Sequence, residues 1–290
     1  MGFCSIVAAE NDWLVFPEFI QESNGNTSIW IDRALAHCSF VNHLADADRL
    51  LRDPQCEIIK DQKKITVGRL TMAIGDTPHA IYIKRYNISS LRHRLGSLFV
   101  RSGALRALRG AMVLRGLGIP IALPIAAVEW RVWGVLAKSF FISEEISGAK
   151  TADAYWSDEL RTMAGATGIL QRREFLMRLG ELFRSLHGQQ IYHNDLKDAN
   201  IMATAKDSST SFFLLDLEGV RRFHRLSDKR RIKNLVQLHR TLGRYLRRSE
   251  KLRFLKHYLG ATFSERKIRR HLIASVLRQS DKLDREKATP

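Results

Sequence analysis

The spacing of apolar and polar residues changes character twice along the chain. From Cys56 to Tyr86 the apolar residues come in short alternating runs: Cys56-Glu57-Ile58-Ile59, Ile65-Thr66-Val67, Leu70-Thr71-Met72 and Ala80-Ile81-Tyr82-Ile83-Lys84. Turn residues such as Gly75-Asp76 separate them, and this pattern predicts strands. Ahead of them, Ile29 to Leu51 spaces Leu35, Phe40, Leu44 and Leu51 as a helix would, with Asp32 as cap and Pro54 as stop. A further helix is predicted over roughly Gly103 to Leu117, closed by Gly118 and Pro120. Ile125 to Glu129 and Trp133 to Ser143 predict two more strands leading into Glu144-Glu145. Beyond Gly148 the period becomes helical. Arg172 to Gly188 places Phe175, Leu176, Leu179, Leu182, Phe183 and Leu186 on one face, and Lys229 to Leu246 and Glu265 to Leu277 are basic and amphipathic. The prediction is an α+β architecture: an N-terminal extension over 1–54, a small β-rich lobe over 55–145 and a larger helical lobe over 146–290.

Composition adds limits. A chain of 290 residues, 45% of them hydrophobic, can bury one substantial core or two small ones. Cys4, Cys38 and Cys56 form no CxxC pair, which suits a reduced, cytosolic compartment rather than a disulfide framework. No apolar run approaches the ~20 residues that span a bilayer, since Pro120 and Pro124 break the longest, Gly118 to Val128. The first residues, MGFCSIVAAEND, lack a basic leader, so export is not expected.

Charge changes the picture more. The net charge is +17, and from Arg221 onward there are 22 Lys and Arg against 6 Asp and Glu. A second stretch, Lys84 to Val128, holds no acid but carries Arg85, Arg92, Arg94, Arg101, Arg106, Arg109 and Arg115. Any one of these is an ordinary solvated side chain. The asymmetry as a whole points to an anionic partner: a phosphorylated substrate, an acidic membrane face or nucleic acid. Aromatic residues among the late basic helices are few and sit at core spacing, so nucleic acid is the weakest of the three and is not expected as a partner.

The sharpest local signal is His193-Asn194-Asp195-Leu196-Lys197-Asp198-Ala199-Asn200, of the form H-x-D-L-K-x-x-N, directly after an amphipathic helix. An apolar strand ending in an acid follows: Phe212-Phe213-Leu214-Leu215-Asp216-Leu217-Glu218-Gly219. An isolated HxD more often just ties a loop down. Here four positions match in spacing, and the acid-ended strand follows at the interval a kinase uses. Phosphoryl transfer needs a carboxylate to take the acceptor's proton and oxygen ligands for Mg²⁺. Asp195 suits the first role, Asn200 and Asp216 the second, and Lys197 can neutralise the transferring phosphoryl. Lys84, ending an apolar strand, is the candidate for the ATP α- and β-phosphates.

Together with Tyr82-Ile83-Lys84-Arg85-Tyr86, Gly118-Ile119-Pro120 and Glu144-Glu145, these motifs resemble the lipopolysaccharide kinase (Kdo/WaaP) family over roughly residues 55–250. The resemblance implies a two-lobed protein-kinase-like fold using ATP and Mg²⁺. Lys84 would hold ATP, Asp195 would act as base, and Asn200 and Asp216 would bind metal. Glu144 and Glu145 would lie at or near the segment that holds adenine. It further implies phosphorylation of an inner-core sugar, Kdo or heptose, of a lipopolysaccharide glycolipid at the anionic cytoplasmic face of the inner membrane, with the chain bound there peripherally.

Three features depart from the usual kinase pattern. No G-x-G-x-x-G precedes Lys84. No acid occupies the helix that usually supplies a Glu to the strand lysine, so Lys84 pairs with Asp216, another group substitutes, or catalysis is impaired. The metal tripeptide is Asp216-Leu217-Glu218 rather than D-F-G, which makes Glu218 a candidate second metal ligand, as in small-molecule kinases of the aminoglycoside and choline type. With no A-P-E and little chain after Asp216, a small-molecule acceptor is expected rather than a peptide. The reading from another class is a pseudokinase scaffold that binds partners without catalysis.

Overall fold

A computed structural model describes residues 17–87, 101–206 and 209–288. The chain divides into two compact units: residues 1–112 with 122–145, and residues 113–121 with 146–290.

The first unit is built on a seven-stranded antiparallel sheet in the order β1-β2-β6-β7-β5-β4-β3. Its strands are β1 (Phe19–Asn24), β2 (Thr27–Asp32), β3 (Glu57–Gln62), β4 (Ile65–Ile74), β5 (Thr77–Asn87), β6 (Pro124–Val132) and β7 (Val135–Glu144). The alternation along β5 is what the sequence led one to expect. Ile81 and Ile83 are fully buried in one core, while Tyr82, Lys84 and Tyr86 belong to the other face. The two short runs at Ile65–Val67 and Leu70–Met72 are one strand, continuous through Gly68. A Cβ at Gly68 would come within 2.6 Å of Cys56 Sγ.

Two helices, α1 (Cys38–Ala45) and α2 (Asp48–Arg52), bring Phe40, Leu44, Leu50 and Leu51 onto the Ile81/Ile83 face. The helix expected over Ile29 to Leu51 holds for Phe40, Leu44 and Leu51 but in two pieces, and its first residues are a strand instead. Ile29, Trp30 and Ile31 lie in an interior strand between β1 and β6, buried on both faces, and β-branched residues favour that setting. Asp32 does cap, but a single 3₁₀ turn: its Oδ1 accepts from the Ala34 amide at 2.9 Å. Residues 19–52, expected as an extension, therefore supply two strands of this sheet and two of its helices. The buried Asp48 carboxylate pairs with Arg85 (2.9 Å) and with Lys138, and these two cations hold its pKa down against the cost of burial.

On the opposite face, α3 (Gly103–Arg115) starts against Tyr86, where a Cβ on Gly103 would lie 2.6 Å from the ring. This is the helix predicted over 103–117. Arg92 and Arg94 lie outside the described residues.

The second unit is helical, with short strands. Its longest helix, α4 (Gly165–Gly188), buries Phe175, Leu176, Leu179, Phe183 and Leu186 as its spacing predicted. Phe175 sits 5.4 Å from Trp156 and 4.9 Å, edge-on, from Phe212, forming an aromatic centre. After α4 come β9 (Ile191–His193), β10 (Ile201–Lys206), β11 (Ser209–Leu214) and β12 (Val220–Arg222), with β8 (Lys150–Thr151) on the far edge of β10. The chain ends in α5 (Asp228–Arg240), α6 (Arg248–Leu259) and α7 (Arg266–Ala288).

Gly180 is where α4 and α6 touch: a Cβ there would meet the Phe254 carbonyl at 2.6 Å and the Tyr258 amide at 3.0 Å. Alanine would gain about 1 kcal/mol in helix propensity. Overpacking against backbone would cost about 1–3 kcal/mol. Gly180→Ala is therefore expected to lower the thermal unfolding midpoint, and a rise would show that the two helices separate easily.

Candidate active site

The H-x-D motif begins on β9, which pairs antiparallel with β12 in the register His193↔Val220. That pairing lays the loop 194–200 beside the turn 216–219 within the second unit. The approach is close: a Cβ on Gly219 would lie 2.7 Å from Asn194 Cβ, and the Asn194 amide donates to the Gly219 carbonyl at 3.3 Å.

His193 is 1% exposed and ties the two segments together. Its Nε2 donates to the Leu215 carbonyl at 2.8 Å, and its Nδ1 accepts the Asp195 amide at 3.2 Å. These two bonds fix the neutral Nε2–H tautomer. Leu215 is held from its other side too, since its amide donates to the Asn200 carbonyl at 3.0 Å. Asp216 follows in the left-handed region, φ 57° and ψ 51°, a conformation that costs a non-glycine residue about 1–2 kcal/mol. Such strain persists where the surroundings over-determine it, and the bonds on Leu215 do so here.

Asp195, Lys197 and Asn200 form one cluster. Lys197 Nζ lies 2.7 Å from Asp195 Oδ2; Asn200 Nδ2 donates to the same oxygen at 3.0 Å and to the Asp195 carbonyl at 2.7 Å. Both donors fall on Oδ2, leaving Oδ1 to accept from elsewhere. With Asn200 Nδ2 so engaged, its Oδ1 is the atom available to a cation. The Asp195 and Lys197 side chains are each 41% exposed, accessible to a substrate yet held in place. Glu218 lies in the 3₁₀ turn Leu217–Gly219 directly after Asp216. Among the described residues, no three His, Cys, Asp or Glu cluster as an all-protein metal cage. A carboxylate plus an amide oxygen is the donor set that suits Mg²⁺, which keeps waters and takes phosphate oxygens.

Lys84, Glu144 and Glu145 belong to the first unit. Lys84 lies opposite Val67 and Phe141, with its ammonium 4.9 Å from the Tyr86 ring centroid. Glu145 makes a two-pronged pair with Arg69 at 2.9 and 2.8 Å, which raises the arginine's pKa, and Glu144 faces His79 Nδ1 at 3.2 Å. Their amides bond the Ala80 and Leu123 carbonyls, so both residues fasten the end of β7 to its neighbours. The helix on the Lys84 face, α3, carries no acid. Glu129, 3% exposed and opposite Ser139, is a buried carboxylate on that same face and takes Arg131 at 2.9 Å.

Helix α5 supplies a support that sequence reading missed. Asn234 is fully buried and donates to the His193 carbonyl at 2.5 Å and to Gln237 Oε1 at 2.9 Å. Gln237 in turn accepts the Leu196 amide at 3.1 Å and donates to the Asn194 carbonyl at 2.8 Å. Thr241 Oγ1 accepts the Asp198 amide at 3.4 Å. The spacing Asn234, Gln237, Thr241 is one helix face, a signal hidden inside a segment whose basic residues dominate the pattern. Asp198 itself is buried, and its carboxyl pKa is raised by that burial.

Asn234 Oδ1 also accepts from His187 Nε2 at 3.3 Å, while His187 Nδ1 accepts from the Tyr258 hydroxyl at 2.9 Å. Burial lowers the His187 pKa from 6.5 to about 4. Between those values the unfolded chain binds a proton that the folded chain refuses, so stability falls as pH drops. The loss is expected to be roughly 2 kcal/mol between pH 6.5 and 4.5. Denaturant midpoints at the two pH values measure it, and His187→Gln is expected to flatten the slope.

Among the described residues no helix is long and apolar enough to cross a membrane. A family model described as "Lipopolysaccharide kinase (Kdo/WaaP) family" matches residues 64–258. A 3-deoxy-D-manno-octulosonic acid kinase from Pasteurella multocida (strain Pm70) is 25% identical over 124 residues, which is 43% of this chain and 47% of that protein. Among solved structures, WaaP in complex with acyl carrier protein aligns with a TM-score of 0.59 and 18% identity, covering 82% of this chain and 92% of that one. That likeness speaks for the fold alone, a kinase-like one with a β-rich N-terminal sheet and a helical C-terminal region. The family model covers well over half of the sequence, through both the Lys84 strand and the His193–Asn200 loop: the chain belongs to the lipopolysaccharide kinase (Kdo/WaaP) family.

Proposed function

We propose that this protein transfers the γ-phosphoryl group of ATP to a hydroxyl of a lipopolysaccharide inner-core sugar, Kdo or heptose. The observation that carries the reading is the Asp195–Lys197–Asn200 cluster, joined through His193 to the segment presenting Asp216. Asp195 Oδ1 receives the proton of the acceptor hydroxyl as the new P–O bond forms and the bond from the γ-phosphorus to the β,γ-bridging oxygen breaks, ADP leaving with that oxygen. Lys197 holds Asp195 in place and offsets negative charge on the phosphoryl. Asn200 Oδ1 and Asp216, with Glu218 beside them, are the oxygens that would hold Mg²⁺, whose role is to neutralise charge on the phosphates. Lys84 is assigned to the ATP phosphates, and Glu144 and Glu145 to shaping the segment at the end of β7.

The basic surface fits the setting of such a substrate. Basic residues near an anionic bilayer contribute about 1 kcal/mol each, so a handful of those after Arg221 would hold the chain peripherally at the inner face of the inner membrane. The test is direct: full-length protein, Mg-ATP and purified lipopolysaccharide core, with phosphate incorporation read by mass. No incorporation into Kdo- or heptose-bearing acceptors would end this reading.

A non-catalytic scaffold is the second reading, favoured by the absence of any acid in α3. Mg-ATP separates the two. Catalysis requires nucleotide binding, and saturating nucleotide at about 100 times its Kd stabilises the fold by about 2.7 kcal/mol. An unfolding midpoint indifferent to Mg-ATP favours the scaffold.

A further inference from the structure

The second unit contains a cavity of about 650 Å³ among α4, α5, α6 and α7, and it shares no lining residue with the Asp195 cluster. Its volume is that of a small-ligand site, roughly 300–1,000 Å³. Arg184, Arg231, Lys267 and His271 line it, with Ile268 and Leu272 among its apolar walls. Asp228 is the single acid among the lining residues, and it neutralises little. Its side chain is 93% exposed and stands 4.0 Å from the Arg231 guanidinium, a distance at which a solvated pair is weak.

Of the four cations Arg231 is partly buried, while Arg184, Lys267 and His271 are exposed. Arg184 lies across Gly260, where a Cβ would come within 2.6 Å of its Nη1. Arg231 is 28% exposed and its Nε donates to the Leu226 carbonyl at 3.4 Å, while the Tyr258 hydroxyl, also in the cavity wall, bonds His187. Tyr258 and His187 are both over nine-tenths buried and give the cavity a fixed wall. A partly buried guanidinium with three further cations around it and aliphatic side chains beside it is best satisfied by an anion with several acceptor oxygens and an apolar neighbour.

We propose that this cavity binds a phosphomonoester carried on an apolar body, at a site separate from phosphoryl transfer. The inference stands whether or not the sugar acceptor is Kdo or heptose. Two sources present that chemistry: a phosphate-headed lipid and a free phosphate compound.

Calorimetric titration of the full chain tests it, with dihexanoyl phosphatidic acid as probe and dihexanoyl phosphatidylcholine as the uncharged-headgroup control. The phosphatidic acid is expected to bind, and Lys267→Glu and Arg184→Glu, both at exposed positions, are each expected to weaken it about tenfold or more. Inorganic phosphate that competes with equal affinity supports the site and assigns it to free phosphates. Failure to compete supports the site and assigns it to the lipid. The proposal is overturned if both charge reversals, folded by circular dichroism, bind as the wild type does. It is equally overturned if phosphatidylcholine binds as well, or if Asp216→Asn abolishes binding, which would place the phosphate in the transfer site.

Discussion

Asp195→Asn is expected to lower kcat for phosphate transfer by about 10²–10⁴-fold, the range over which a positioned general base contributes, while leaving the unfolding midpoint nearly unchanged. The substitution keeps the shape of the side chain and an oxygen able to accept from Lys197 Nζ and Asn200 Nδ2, which now converge on Oδ2. It removes the basicity that lets Oδ1 take a proton. The side chain is 41% exposed, so little packing is at stake. Steady-state kinetics alongside a thermal melt separates the two effects. A drop in kcat with a matching loss of fold would mean that Asp195 is a loop anchor and not the base.

The second large effect is expected at Asn234, which touches neither substrate nor metal in this account. Asn234→Ala leaves the His193 carbonyl and the His187 Nε2–H without their buried partner. An unsatisfied buried polar group costs about 1–3 kcal/mol. Two of them make a loss on the order of 3 kcal/mol, visible as a lower denaturant midpoint. The His193 carbonyl sits at the mouth of the loop that positions Asp195, so kcat is also expected to fall, by about tenfold, under conditions where the variant is folded. Unchanged kcat in the folded variant would show that the loop is held well enough by Gln237 and by the His193–Leu215 bond.

How far the sequence carried this picture follows from the range of the interactions involved. The motif from His193 to Asn200 is local, and its chemistry is legible because phosphoryl transfer demands those residue types at those intervals. The strands β4 and β5 are legible because their side chains alternate between a more and a less buried face, and β6 and β7 as short apolar runs with Gly134 in the turn between them. Ile29 to Ile31 misled because an interior strand is apolar on both sides and loses its alternation, so the expected helix begins at Ile29 although the first α-helix starts at Cys38. The supports of the loop were not legible for another reason. Asn234 meets His193 across 41 residues and Gln237 meets Asn194 across 43, and no local pattern encodes such pairs. The same holds for Asp48 with Arg85 and Lys138, separated by 37 and 90 residues. Glu129, the buried carboxylate on the Lys84 face, became visible only once the strand register was known.

The central claim is that this chain places a phosphate on an inner-core sugar of lipopolysaccharide, with Asp195 as the base. It is tested most directly by the mass of the core from cells that lack the gene, complemented either with the wild-type chain or with Asp195→Asn. The account predicts one phosphate more on a Kdo or heptose residue with the wild type, and a core indistinguishable from the deletion with the variant. A core of the same mass in all three strains, or a full phosphate restored by Asp195→Asn, would contradict it.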